Sequence, residues 1–134
     1  MENVIKVLFV QPGKYPLAAE LGTQLSDLQQ AVGGFIETCY FTCDDEVVMI
    51  LNDEGKLNGM VPNRALYNEN GEIIDIVFGP FFICDCSGEN FGSLTDEQIE
   101  RYKNQFLKPE WFRKEGGRII ATQYDPVDEE VQYE

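Results

Sequence analysis

Histidine is missing from the chain altogether, and tryptophan occurs once. That excludes Ser-His and Cys-His dyads, histidine metal sites and the commonest general base. No Walker-type glycine loop, no G-x-G-x-x-G and no G-x-S-x-G is present. Apolar runs stop well short of the roughly 18 residues that cross a bilayer. The first ten residues, MENVIKVLFV, lack both a basic n-region and a small-residue cleavage site. Val4 to Val10 therefore reads as a strand, and the expected compartment is the cytoplasm, where thiols stay reduced. Internal repeats and low-complexity blocks are also absent.

Basic residues are scarce: ten against 24 acids, for a net charge of −14. Between Tyr15 and Glu100 sixteen acids face only Lys56 and Arg64, while six of the ten bases fall between Arg101 and Arg118. Such a surface repels nucleic-acid phosphates and anionic membrane, so neither is expected as a partner. A basic protein surface is the partner it suits, and acidic side chains also promote solubility.

What is present builds a fold. With 134 residues, 43% of them hydrophobic, the chain is one domain with a single buried core, expected over residues 1–124 and followed by an acidic tail at 125–134. Leu21, Leu25, Leu28 and Val32 recur at helical spacing. Ser26 with Gln29 has the form of a capping box, unless the helix begins earlier and holds Ser26 inside it. Gly33 and Gly34 end this helix, and Phe35 to Phe41 reads as a strand. Glu46 to Leu51 is a further strand, able to pair with it antiparallel across the acidic turn at Thr42 to Glu46. Lys56 to Tyr67 has no clear period, with a short helical turn expected after Pro62. Asn68 to Gly71 is a hairpin turn. Ile73 to Cys86 is a long β-prone run interrupted at Gly79-Pro80 by a bulge, bend or edge.

The second helix has the clearest signature. Thr95 and Gln98 form a capping box with Leu94 and Ile99 as hydrophobic staple, Ile99, Tyr102, Phe106 and Leu107 make the stripe, and Pro109 ends it. Trp111 and Phe112 are expected to anchor the next segment to the core, before a last strand from Arg118 to Tyr124. The order β-α-β-β-β-α-β predicts an α+β fold, with two principal helices packed on one face of a mainly antiparallel sheet.

Chemistry is thin. Cys39, Cys43, Cys84 and Cys86 have spacings poorly suited to a four-thiolate zinc site, so they are expected to pack rather than hold metal. Carboxylate pairs such as Asp44-Asp45, Asp53-Glu54, and Asp85 with Glu89 lie mostly in turns, where solvation keeps them ordinary. No cofactor and no catalytic residue is expected. The candidate ligand-binding cluster is Lys56, Asn63 and Arg64, whose cations could neutralise a bound phosphate or carboxylate. The competing expectation is that they form salt bridges with neighbouring acids.

Several stretches carry a resemblance. Lys6-Val7-Leu8 to Pro12-Gly13, Leu28-Gln29 with Val32 to Glu37, Asn52 to Leu57, Pro62 to Leu66, and Phe91 with Ser93 to Asp96 match in order and spacing. Over roughly residues 4 to 107 the chain resembles a domain family of unknown function, found mostly in Firmicutes, their phages and conjugative elements. The resemblance carries no activity and no catalytic residue. It implies an accessory role on a mobile element, such as countering host defence, and it leaves the Trp111 segment and the tail as particular to this chain. Gly33, Gly34, Glu37 and Gly55, all within the matched stretches, are read as structural positions.

Two functions are therefore expected to compete. One is a non-enzymatic protein engaging a host protein through its acidic surface. The other is a small-ligand binder, for a nucleotide or phosphorylated metabolite, centred on Lys56, Asn63 and Arg64. Self-association through strand edges near Gly79-Pro80 is a further expectation.

Overall fold

Three strands explain why parts of this sequence read as unbroken apolar runs. In a computed structural model, which describes residues 3–126, β1 (Val4–Val10), β4 (Val47–Asn52) and β7 (Phe81–Asp85) are the inner strands of a five-stranded antiparallel sheet. Its order is β2-β1-β7-β4-β3, with β2 (Leu17–Gly22) and β3 (Ile36–Cys39) at the edges. Side chains alternate between the faces of a strand. Ile5, Val7, Val48, Ile50, Phe82 and Cys84 meet Leu28 and Val32 of helix α1 (Leu25–Val32) on one face. Leu8, Val10, Met49, Phe81 and Ile83 meet Ile99, Tyr102 and Phe106 on the other, at helix α2 (Asp96–Gln105) and its C-cap. The expectation of both helices on one face is thus corrected. The sheet is a middle layer, and apolar side chains on both faces require a cover on each.

Beside α2, the second face is covered by a hairpin of β5 (Pro62–Tyr67) and β6 (Ile73–Phe78), which contributes Leu66 and Val77. The Asn68 to Gly71 turn joins these two strands, as its sequence predicts, with Gly71 at φ 79°. Last comes a hairpin of β8 (Glu110–Glu115) and β9 (Arg118–Gln123).

The architecture is α+β, but the element order differs from the predicted one. Leu17–Gly22 is made of good helix formers and still becomes β2, because pairing along β1 outweighs a weak intrinsic preference. Pro62–Tyr67 is a strand rather than a helical turn for the same reason. The run from Ile73 to Cys86 divides at Gly79-Pro80 into strands of two different sheets. At that junction the Gly79 N–H donates to the Val61 carbonyl at 2.8 Å and β7 is paired on both sides, while β6, which ends at Phe78, pairs with β5 alone. Trp111 is not an anchor either; it is 64% exposed and stacks on Tyr124 at 4.7 Å.

Helix ends follow local chemistry closely. Thr95 and Gln98 cap α2 reciprocally, with the staple residues Leu94 and Ile99 buried. Gly33 closes α1 in the left-handed conformation at φ 82°. The N-cap of α1 is Gln24 rather than Ser26, and Asp27 accepts its N–H at 3.2 Å, so the longer of the two expected helices is the one formed.

The thiols divide across the layers. Cys84 is buried on the α1 face with Cys86 beside it, Cys39 packs on the α2 face, and Cys43 is exposed. They do not converge, and Cys43 packs in neither core. Burial pushes the Cys84 thiol from 9.0 up to about 12, with Cys86 and Asp85 adding in the same direction. A thiol raised on folding contributes stability that is complete below the unfolded value and is lost as pH rises through the folded one. Unfolding titrations should therefore show stability declining between about pH 9 and pH 12, with a shallower decline in Cys84→Ala. Tyr67, also raised, remains in the variant and keeps the slope from vanishing. An identical slope in both proteins would remove Cys84 as the cause.

Candidate functional site

The cluster singled out in the sequence starts at the first residues of β5. A register shift between Pro62 and Arg64 leaves Asn63 outside the ladder with β6. Adjacent residues of a regular strand face opposite ways, yet here Asn63 and Arg64 are both 1% exposed.

What they meet inside is backbone. Arg64 Nε donates to the Phe106 carbonyl at 3.0 Å, Nη2 to the Lys14 carbonyl at 2.7 Å, and Nη1 to Asn63 Oδ1 at 2.9 Å. Asn63 Nδ2 donates to the carbonyls of Val10 at 3.0 Å and Gly79 at 2.8 Å. One dipeptide thus ties together the end of β1, the loop after it, the β6–β7 junction and the C-terminus of α2. Phe106 is the C-cap of α2, so the guanidinium also meets the negative end of the helix dipole. Burial pulls Arg64 down to about 10 and nearby Glu110 works against that shift, so it is a cation at neutral pH.

Glu110, 8% exposed on β8, completes the arrangement. Its Oε1 accepts the Ala65 N–H at 2.8 Å, and its Oε2 accepts the Tyr67 hydroxyl. Burial first and this carboxylate second hold the Tyr67 hydroxyl well above the usual phenol range. Among the described residues no buried side-chain nitrogen or oxygen lacks a partner. The arrangement is a clasp, with its polar groups turned to the protein's own backbone.

Lys56 is elsewhere. It is exposed in the turn after β4, where Nζ meets Asp75 at 3.0 Å and lies 5.7 Å from the Phe78 ring centre. Lys56 lines a cleft of about 320 Å³ with Glu37 and Asp75, whereas Arg64 borders a separate one of about 430 Å³ with Tyr40, Tyr67 and Lys108. Asn63 lines neither. The three candidate residues do not form one site: salt-bridging to a local acid, the competing expectation, describes Lys56, and backbone carbonyls take Arg64.

Of the positions read as structural, the glycines lie at close approaches, whereas Glu37 is exposed. A side chain at Gly34 would put its Cβ 2.9 Å from Asn52 Nδ2, which donates to the Val32 carbonyl at the end of α1. At Gly55 a Cβ would lie 2.7 Å from the Phe78 carbonyl, so the turn rests directly on β6. Glu37 is exposed on edge strand β3, opposite Leu51. Sequence reasoning missed Glu110 and Tyr67. The single available signal was an acid set among Pro109, Trp111 and Phe112.

Electrostatically, the acids between Tyr15 and Glu100 far outnumber the cations near them, although Lys6 pairs with Asp96 and Arg101 with Asp44 and Glu97. Of the two cations within that stretch, Arg64 is inside and Lys56 is occupied by Asp75.

The clustered mitochondria protein of Arabidopsis thaliana is 28% identical over 124 residues, or 90% of this chain, but the chain spans 8% of that protein's length. No solved structure matches the chain. The model of a family described as a domain of unknown function, DUF3846, matches residues 5–107, and the chain belongs to that family.

Proposed function

We propose that this chain is a non-enzymatic binding protein that engages a basic surface of a partner protein, as an accessory factor of a phage or mobile element acting on a host. The observation that supports this reading is the fate of the two cations in the acidic stretch. With Arg64 inside the clasp and Lys56 paired to Asp75, carboxylates dominate the surface between Tyr15 and Glu100. Like charge repels wrong partners and opposite charge speeds encounter with the right one.

The test is retention of host proteins on the immobilised chain at rising salt. A specific partner should be held at 50 mM salt and released by about 300 mM, where the screening length is shorter than the spacing of surface charges. Reversing four exposed acids, Glu37, Asp53, Glu54 and Asp75, to lysine should abolish its retention at any salt. A partner indifferent to both changes would overturn the reading.

The rival, a small-ligand binder, keeps one observation in its favour: the cleft of about 430 Å³ beside Arg64. Native mass spectrometry of the purified chain distinguishes the two. A reproducible excess of a few hundred daltons, lost in Lys108→Ala at the rim of that cleft, would put a retained ligand first.

A further inference from the structure

We infer that the seam between strand β3 and the β5–β6 hairpin receives an extended peptide of the partner, added as a strand to the free edge of β3, with basic side chains at alternate positions. The inference rests on the acidic-surface reading and gives it a place and a mode of recognition.

Backbone comes first. Strand β3 is terminal in its sheet and is bonded on one side, to β4; among the described residues no strand pairs with its other edge. Strand β6 likewise pairs with β5 alone. An edge of this kind presents a row of N–H and carbonyl groups that a further strand can use, which gives affinity through main-chain hydrogen bonds.

The space beside that edge is already open. Three adjoining hollows, of about 320, 430 and 540 Å³, follow one another along it. Their walls advance in step: Glu37, then Cys39 to Phe41, then Thr42 and Cys43 on the β3 side. Opposite them run Asp75 to Phe78, then Ile74 and Tyr67, then Asn68 to Asn70. Strand β3 itself, Ile36–Cys39, offers about 13 Å of extended edge before the chain bends at Thr42 and Cys43. About four residues of a bound strand therefore pair along it, and the rest of the peptide lies over the neighbouring hollows. Exposed apolar groups border the seam, with Tyr40 65%, Ile74 64% and Leu57 84% exposed.

Charge names the occupant. The hollow at the Glu37 end holds four carboxylates, Glu37, Asp53, Glu54 and Asp75, against Lys56 alone. Lys56 displays the chemistry in miniature, its ammonium on Asp75 and near the face of Phe78. A second copy of this chain suits the edge poorly, because it would bring its own Glu37 there and a further charge of −14. A strand alternating lysine or arginine with apolar residues suits it, because successive side chains point to opposite faces and one set meets the acids.

The test uses the full chain and a fluorescein-labelled peptide of eight residues alternating lysine and valine, followed by fluorescence anisotropy. A block peptide of the same composition, four lysines then four valines, controls for charge alone. The alternating peptide should bind at least tenfold more tightly than the block peptide. Single N-methylation along its backbone should weaken binding at least tenfold at every second residue and little at those between. Glu37→Lys and Asp75→Lys should each cost at least fivefold, Glu20→Lys on the opposite edge strand should cost less than twofold, and Lys56→Gln should tighten binding. No binding, or equal binding of both peptides without a period in the N-methyl series, would overturn the inference. The second outcome would leave the acidic-surface reading standing. Salt-insensitive retention of the host partner would remove that reading whatever the peptides do. The N-methyl series needs no protein variant, so a misfolded mutant cannot obscure the result.

Discussion

Arg64→Ala is expected to cost the fold about 3–5 kcal/mol, the range for breaking one partner out of a buried charged network. The substitution strips a donor from the carbonyls of Lys14 and Phe106, leaves Asn63 Oδ1 unpaired and removes the cation near Glu110. It also empties the largest of the fully buried side-chain volumes. In a domain of this size the melting temperature should fall by roughly 10–20 °C, and urea unfolding should give the free energy directly. Arg64→Lys should recover less than half of the loss, because one ammonium cannot reach three acceptors set apart around a planar fork. A loss below about 1 kcal/mol would mean that the guanidinium is solvated and available to a ligand, which would reopen the small-ligand reading.

Asn63→Ala should be next in size, at about 2–4 kcal/mol. Its amide is the donor to both the Val10 and Gly79 carbonyls, and orphaning buried acceptors costs about 1–3 kcal/mol each. Since Asn63 Oδ1 also accepts from Arg64, the two substitutions share a bond and must not add. The double variant should be less destabilised than the sum of the singles by about 1–2 kcal/mol. Additive losses would show that the clasp is two separate ties. Lys56→Ala sets the scale for an exposed ion pair, and its effect should stay within about 1 kcal/mol. Residues that share one cluster in the sequence would then differ several-fold in what they contribute.

Much of the fold was legible because the signals were local. Thr95, Gln98, Leu94 and Ile99 lie within six residues and satisfy one another, so no distant contact is needed to read the start of α2. Gly33 ends α1, and Asn68 to Gly71 turns a hairpin, for the same reason. The missed strands, β8 among them, are those with no clear period-2 pattern of their own, and each is fixed by pairing with the strand next to it in the chain. Leu17–Gly22 and Pro62–Tyr67 contain helix-forming residues, and their pairing with β1 and β6 decides them. The sequence points to Trp111 as an anchor, but its neighbour Glu110 does that work, and a lone acid in an aromatic stretch is a faint sign of burial.

The candidate site was half legible. That Asn63 and Arg64 matter can be read from their place in an otherwise acidic stretch, and their role cannot. A bulge turns both inward, and the acceptors that await them, at Val10, Lys14, Gly79 and Phe106, come from four separated parts of the chain. The clasp also reaches beyond the family match at residues 5–107, since Glu110 lies after it.

By itself the sequence determined the charge, the lack of histidine chemistry, the two helices with the cap of the second, and the apolar inner strands, since each follows from composition or from neighbours a few residues apart. Only the tertiary structure decided which face each helix covers, which cations remain at the surface and which strand edge stays open. Those depend on contacts between residues far apart in the chain, where burial and pairing outweigh any local preference.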